Sequence, residues 1–209
     1  MTAPSSDIAF TAAVKAIQTA RGSRSAYAGM EARGGFRTGI DANLAGFLAD
    51  IDTAYLATAN ADGQPYAQHR GGPRGFIRVI DDHTVGFVDF AGNRQFITTG
   101  NLADNPKAFL FLMDYAHRRR IKLWGRARVV AAEPDLVARL MPEGYRAQAE
   151  QVILFAIDAW DSNCPKHIPQ KFDGADVAAA LKRLQDRVTA LETENAELKT
   201  QIVIERSRA

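Results

Sequence analysis

From residue 53 to residue 161 the chain is a succession of short β-prone runs separated by turn residues. "TAYLATA" (53–59) is followed by "NADG" (60–63), whose Asn, Asp and Gly tolerate the backbone angles of a tight turn. "QPYAQHR" (64–70) returns as its partner. "FIRVI" (76–80), "TVGFVDF" (84–90), "RRIKLWGRARVV" (119–130) and "QVILFAIDAWD" (151–161) alternate or read as strands. "KAFLFLMDY" (107–115) is nearly all apolar, which predicts burial on both faces. Few long helices fall between these runs. "DANLAGFLADID" (41–52) and "NRQFITTGNLADNP" (93–106) read as short helices, and Pro134 opens another, where its missing N–H costs nothing. About six strands at this spacing predict a closed antiparallel barrel rather than a parallel α/β sheet.

The flanks differ. "DIAFTAAVKAIQTA" (7–20) has helical spacing, and residues 21–40, rich in Gly, Arg and Ser, read as a long arm. We therefore expect an N-terminal helix and arm over 1–44, a barrel domain over 45–173 and a separate C-terminal helix over 174–209. A chain of 209 residues with 46% hydrophobic side chains can bury one such core. Lys plus Arg number 26 against 24 acids. That balance gives no global field for nucleic acid, so any anion site must be local. The single cysteine, Cys164, excludes an internal disulfide and fits a reducing compartment. The opening "MTAPSSDIAF" lacks the pattern of a secretion signal, and no stretch reaches the roughly 20 apolar residues of a membrane helix. A cytoplasmic protein with no nucleic-acid and no membrane partner is expected. In "NCPKH", Cys164 and His167 lack further ligands at metal spacing, so the thiol reads as buried or idle.

In the C-terminal segment, apolar residues recur at alternating steps of four and three. Leu181, Val188, Asn195 and Ile202 fall at heptad position a, and Leu184, Leu191 and Leu198 at d. A parallel coiled coil between two subunits is expected, and an Asn at a favours a two-stranded register. No run of Lys or Arg precedes it, which argues against DNA binding of the basic-zipper type.

The segment "QHRGGPRGFIRV" (68–79) places Arg70, Arg74 and Arg78 beside three glycines. "VDFAGNRQ" (88–95) carries a strand end into a helix start, and "RRRIKLWGRARV" (118–129) begins another strand with Arg120. Guanidinium groups, backbone N–H groups and a helix start together suit a phosphate. On residue type alone, surface arginines on strand and loop are the better reading of Arg78 and Arg94.

The run "GQPYAQHR…FIRVIDDHTVGFVDFAGNRQ…NPKAFLFLMD…RIKLWGRARV", over about residues 45–165, resembles the pyridoxamine 5′-phosphate oxidase-like, FMN-binding split-barrel proteins. The "RGGPRG" insertion, and "NCPKHIPQKF" where the oxidase proper has an arginine-histidine signature, place it nearer a branch of flavin-nucleotide-binding proteins. The resemblance implies an FMN-binding split β-barrel, mainly β with short helices. It also implies a homodimer with FMN at the interface.

Carried over by position, Arg78 would bind the flavin phosphate, Val88 and Asp89 would touch the flavin, and Arg94 with Gln95 would stand at the phosphate-binding helix start. Arg120 would reach in from the second subunit. With Arg70 and Asn93 added, the candidate cofactor-binding set is complete; no catalytic side chain and no metal ligand stands out. The implied function is an FMN-dependent oxidoreductase with a small-molecule electron donor or substrate, NADH or NADPH being candidate donors. The alternatives are a non-catalytic flavin-binding or sensor module whose coiled coil joins a partner, and a barrel holding haem or another cofactor.

Overall fold

The computed structural model describes residues 3–162 and 166–208, so Cys164 lies outside the described residues. The chain divides into two compact units, Met1–Ile168 and Pro169–Ala209. The first contains helices α1 (Ala12–Ala20), α2 (Arg24–Ala32), α3 (Ala42–Asp50), α4 (Ile97–Asp104) and α5 (Pro134–Leu140) around strands β1 (Thr53–Ala59), β2 (Pro65–Gly71), β3 (Arg78–Asp81), β4 (Thr84–Phe90), β5 (Lys107–Asp114), β6 (Arg119–Ala131) and β7 (Ala149–Ser162). The second is the single helix α6 (Gly174–Arg208).

Seven strands form, one at each of the β-prone runs, in one antiparallel sheet of order β2-β1-β5-β6-β7-β4-β3. No ladder joins the edge strands β2 and β3 among the described residues, so the barrel is split rather than hydrogen-bonded all round. Its interior is filled by alternate residues: Leu56 from β1, Leu110 and Leu112 from β5, Leu123 from β6, Phe87 from β4 and Phe155 from β7. Leu44, Phe47 and Leu48 of α3 close one side of this core. α3 begins where its sequence says it should, with the Asp41 carboxylate accepting from the Leu44 N–H at 2.9 Å.

The β6–β7 ladder carries a bulge at Gly125. Here β6 and β7 slip by one residue, between the pairs Trp124–Ala159 and Gly125–Ile157. A Cβ on Gly125 would stand 2.0 Å from the Ala156 carbonyl oxygen, so only glycine lets the two backbones approach this closely.

The structure alters three local expectations. Strand β5 buries its two faces unequally: Ala108, Leu110 and Leu112 point into the core, while on the other face Met113 is buried but Phe109 and Phe111 are half-buried, Phe109 against Trp124 at 5.2 Å. Within the supposed arm, residues 24–32 form helix α2, because tertiary partners replace weak local signals. Arg24 pairs with Glu31, Lys15 of α1 reaches Glu31 at 3.3 Å, and Tyr27 packs edge-on to Phe10 at 5.1 Å. The arm then lays Phe36 flat on Trp124, with ring centroids 5.1 Å apart. Finally, α4 starts at Ile97 rather than near 93. Arg94 (φ 59°) and Phe96 (φ 53°) are left-handed, which no helix can include.

Among the described residues no helix is long and apolar enough to cross a membrane.

Candidate functional site

The loop from Ala91 to Phe96, held between the end of β4 and the start of α4, forms one wall of an open cavity of about 270 Å³. Gln68 and Arg70 of β2 reach it from the far edge of the sheet, and Glu150 and Gln151 of β7 from beneath. Five of the eight sequence candidates, Arg70, Asp89, Asn93, Arg94 and Gln95, line this one space.

A hydrogen-bond network ties the cavity together. Arg70 forms an ion pair with Asp89, and its other terminal nitrogen donates to the Gln68 side-chain oxygen at 3.0 Å. Gln68 also accepts from the Thr98 hydroxyl at 2.8 Å. Gln151, directly opposite Asp89 in the ladder, donates to the Asp89 carboxylate at 2.8 Å and to the Thr99 hydroxyl at 2.9 Å. Four elements (β2, β4, β7 and α4) are thus locked by side chains at the split of the barrel. Thr98 is 2% exposed, so it is an interior member of the network rather than helix surface.

The two arginines differ physically. The Arg70 side chain is 11% exposed and Asp89 13%. Burial pulls the Arg70 pKa down, opposed by the adjacent Asp89 charge; a guanidinium remains charged all the same. Arg70 Nε is buried without a hydrogen-bond partner among the described residues. The Arg94 side chain is 70% exposed, 3.0 Å from the Glu150 carboxylate and lying over the Phe96 ring at 5.6 Å. An exposed pair of this kind is worth about 0–1 kcal/mol. Arg94 can therefore be re-aimed at an anion at small cost, whereas Arg70 cannot leave Asp89. Beside Arg94 the Asn93 carboxamide oxygen accepts from the Gln95 N–H at 3.3 Å, shaping the turn. Phe96, at the N-cap position of α4, makes no side-chain cap bond, and amide N–H groups in a first helical turn lack intrahelical partners.

Three candidates fall elsewhere in the chain. Val88 is 3% exposed and packs with Leu140 and Val152, so only Asp89 of that pair faces the cavity. Arg78 and Arg94 are not brought together. Arg78 sits opposite Gly86 on the edge strand and lines a separate cavity with Arg74 and Arg139. Arg120 lines a third space beside Phe47 and His117, with its Nε buried and unpartnered among the described residues.

The glycines of "RGGPRG" have a packing role of their own. They seat the loop against the end of α3: Gly75 (φ 75°) donates to the Ile51 carbonyl at 2.9 Å, and a Cβ at Gly72 would meet Phe76 at 2.9 Å.

Sequence reasoning missed Gln68, Glu150 and Gln151. Gln68 was detectable, since it lies two residues before Arg70 and so on the same face of a strand. Glu150 and Gln151 depend on the β4–β7 register, which no local pattern encodes.

The sequence profile of the pyridoxamine 5′-phosphate oxidase family matches residues 40–164, more than half of the chain. No protein of curated function matches. Among solved structures, HupZ of Group A Streptococcus is 18% identical, with a TM-score of 0.48 over 64% of this chain and 100% of that one. A putative pyridoxamine 5′-phosphate oxidase of Lactobacillus delbrueckii is 16% identical, with a TM-score of 0.46 over 60% and 95%. An FMN-binding protein of Syntrophomonas wolfei is 12% identical, with a TM-score of 0.45 over 56% and 81%.

Proposed function

The chain belongs to the pyridoxamine 5′-phosphate oxidase family, and from that premise we propose that it is an FMN-binding flavoprotein acting as an FMN-dependent oxidoreductase. The observation that carries this reading is the meeting of Arg70, Asp89, Asn93, Arg94 and Gln95 in one cavity at the split of the barrel. The residues fit the phosphate end of the cofactor. Arg94 exchanges its exposed contact with Glu150, worth about 0–1 kcal/mol, for a charge-assisted bond to phosphate worth about 1.5–3 kcal/mol. Asn93 and Gln95 supply neutral donors beside it. Arg70, with one buried N–H left over, and Gln151 hold the Asp89 carboxylate in a fixed orientation at the cavity wall.

The cavity is open to one side. In this reading one chain holds part of the cofactor, and a second copy covers the rest. In this homodimer Arg120 of the second copy is the further cation. Bound FMN would supply the electron chemistry. The described lining contains no His, Cys, Lys or Tyr, and both its acids are ion-paired. The chain thus binds and orients but holds no free proton donor, which suits hydride transfer from a small-molecule donor such as NADH or NADPH in the cytoplasm.

The same lining supports a second reading, a flavin-binding module without turnover. Adding NADH or NADPH to the FMN-loaded protein without oxygen separates the two. Bleaching of the flavin absorbance faster than that of free FMN supports the enzyme, and an unchanged spectrum supports the module.

A further inference from the structure

Helix α6 has 35 residues and is about 52 Å long at 1.5 Å per residue. Along it, Leu181, Val188 and Ile202 at a, with Leu184, Leu191 and Leu198 at d, form a narrow stripe. Each is between 45% and 64% exposed. A helix this long that presents to water an apolar stripe interrupted only at Asn195 lacks, among the described residues, the partner that stripe requires. We propose that the stripe is the seam of a parallel, in-register, two-stranded coiled coil with α6 of a second copy. This pairing does not depend on the flavin reading.

Three features select that partner and geometry. First, β-branched Val188 and Ile202 at a with leucines at d favour two strands over three or four. Second, Asn195 occupies the remaining a position. In a parallel pair it meets its own copy and the two amides bond each other. In an antiparallel pair a faces d, so Asn195 would lie against Leu or Val with its amide unsatisfied. Third, the flanks complement each other across a parallel seam. Arg187 meets Glu192 and Glu194 meets Lys199, each twice by symmetry. Ala180 with Gln185 and Gln201 with Arg206 add no repulsion. Parallel pairing fastens the Met1–Ile168 units of two copies to the same end of one rod, which raises their effective concentration toward each other.

Cysteine cross-linking in the full-length chain tests this, with Cys164→Ser removing the native thiol. Leu184→Cys and Leu198→Cys are made separately and oxidised in dilute solution. In a parallel, in-register pair both positions face their own copies within disulfide reach, so each variant yields a covalent two-chain product. Thr189→Cys, on the outer face, yields roughly tenfold less, because its Cβ atoms lie beyond the few ångströms a disulfide spans. In any antiparallel register at most one of the two seam positions can meet its own copy. Linkage at only one seam position, at neither, or equally at Thr189→Cys would overturn the proposal.

Discussion

Arg70 and Asp89 form an ion pair that crosses the open side of the barrel: β2 is one edge of the sheet, and β4 lies next to the other edge. Nineteen residues apart in the chain, they meet only because the sheet curls almost to closure. The pair therefore joins fold to function. It closes the split where hydrogen-bonded strands do not, and it fixes the Asp89 carboxylate at the wall of the candidate flavin site.

Removing one partner of a nearly buried pair strands the other charge. Asp89→Ala should lower stability by about 3–5 kcal/mol. The double variant Arg70→Met, Asp89→Leu should cost less than Asp89→Ala alone, since no buried charge remains. Urea unfolding midpoints of the two variants check this; equal losses would show that the pair is not what closes the split.

Arg94→Ala should behave differently. Its pair with Glu150 is exposed, so stability should change by less than about 1 kcal/mol. Its loss should weaken FMN binding by about 1.5–3 kcal/mol, roughly 10- to 100-fold. A fluorescence titration of FMN reads this directly, and unchanged affinity would remove Arg94 from the phosphate site.

Much of this architecture was legible in the sequence, because strand alternation and turn chemistry are local. The boundaries of β4 follow from such signals. What was not legible depends on register or on tertiary partners. Arg78 and Arg94 both suited a phosphate by residue type, yet the β3–β4 pairing sends Arg78 to another cavity. Gln151 enters the site only because it lies opposite Asp89. The packing of Gly72 on Phe76 and of Gly75 on the end of α3 depends on tertiary neighbours in the same way. Helix α2 is held by Arg24, Lys15 and Glu31, a grouping that spacing alone did not reveal.

Asp114 should govern part of the acid stability. Burial raises its pKa, but bonds from the His117 N–H at 3.0 Å and the Arg119 Nε at 2.8 Å outweigh this, and the net shift is downward. A carboxylate depressed in the folded state contributes stability above its unfolded value, near pH 4, and loses it as the pH falls through the folded value. Asp114→Asn should therefore lose less further stability than the parent between pH 5 and about pH 2. Thermal unfolding across that range tests the sign; parallel curves would contradict it.

Gly125→Ala forces a methyl group onto the Ala156 carbonyl oxygen. The β6–β7 bulge cannot widen without breaking the longest ladder of the sheet. A loss on the order of 3 kcal/mol is expected, or roughly 6–12 °C in Tm for a domain of this size. Scanning calorimetry gives the value, and an unchanged Tm would mean that the strands separate there at no cost.

The central claim is that this barrel holds FMN, and the visible absorption spectrum of the purified protein, taken before and after heat release of any ligand, tests it most directly. The account predicts a flavin spectrum, with the released compound identified as FMN. A colourless protein that also fails to bind added FMN would contradict it, as would the absorption bands of haem.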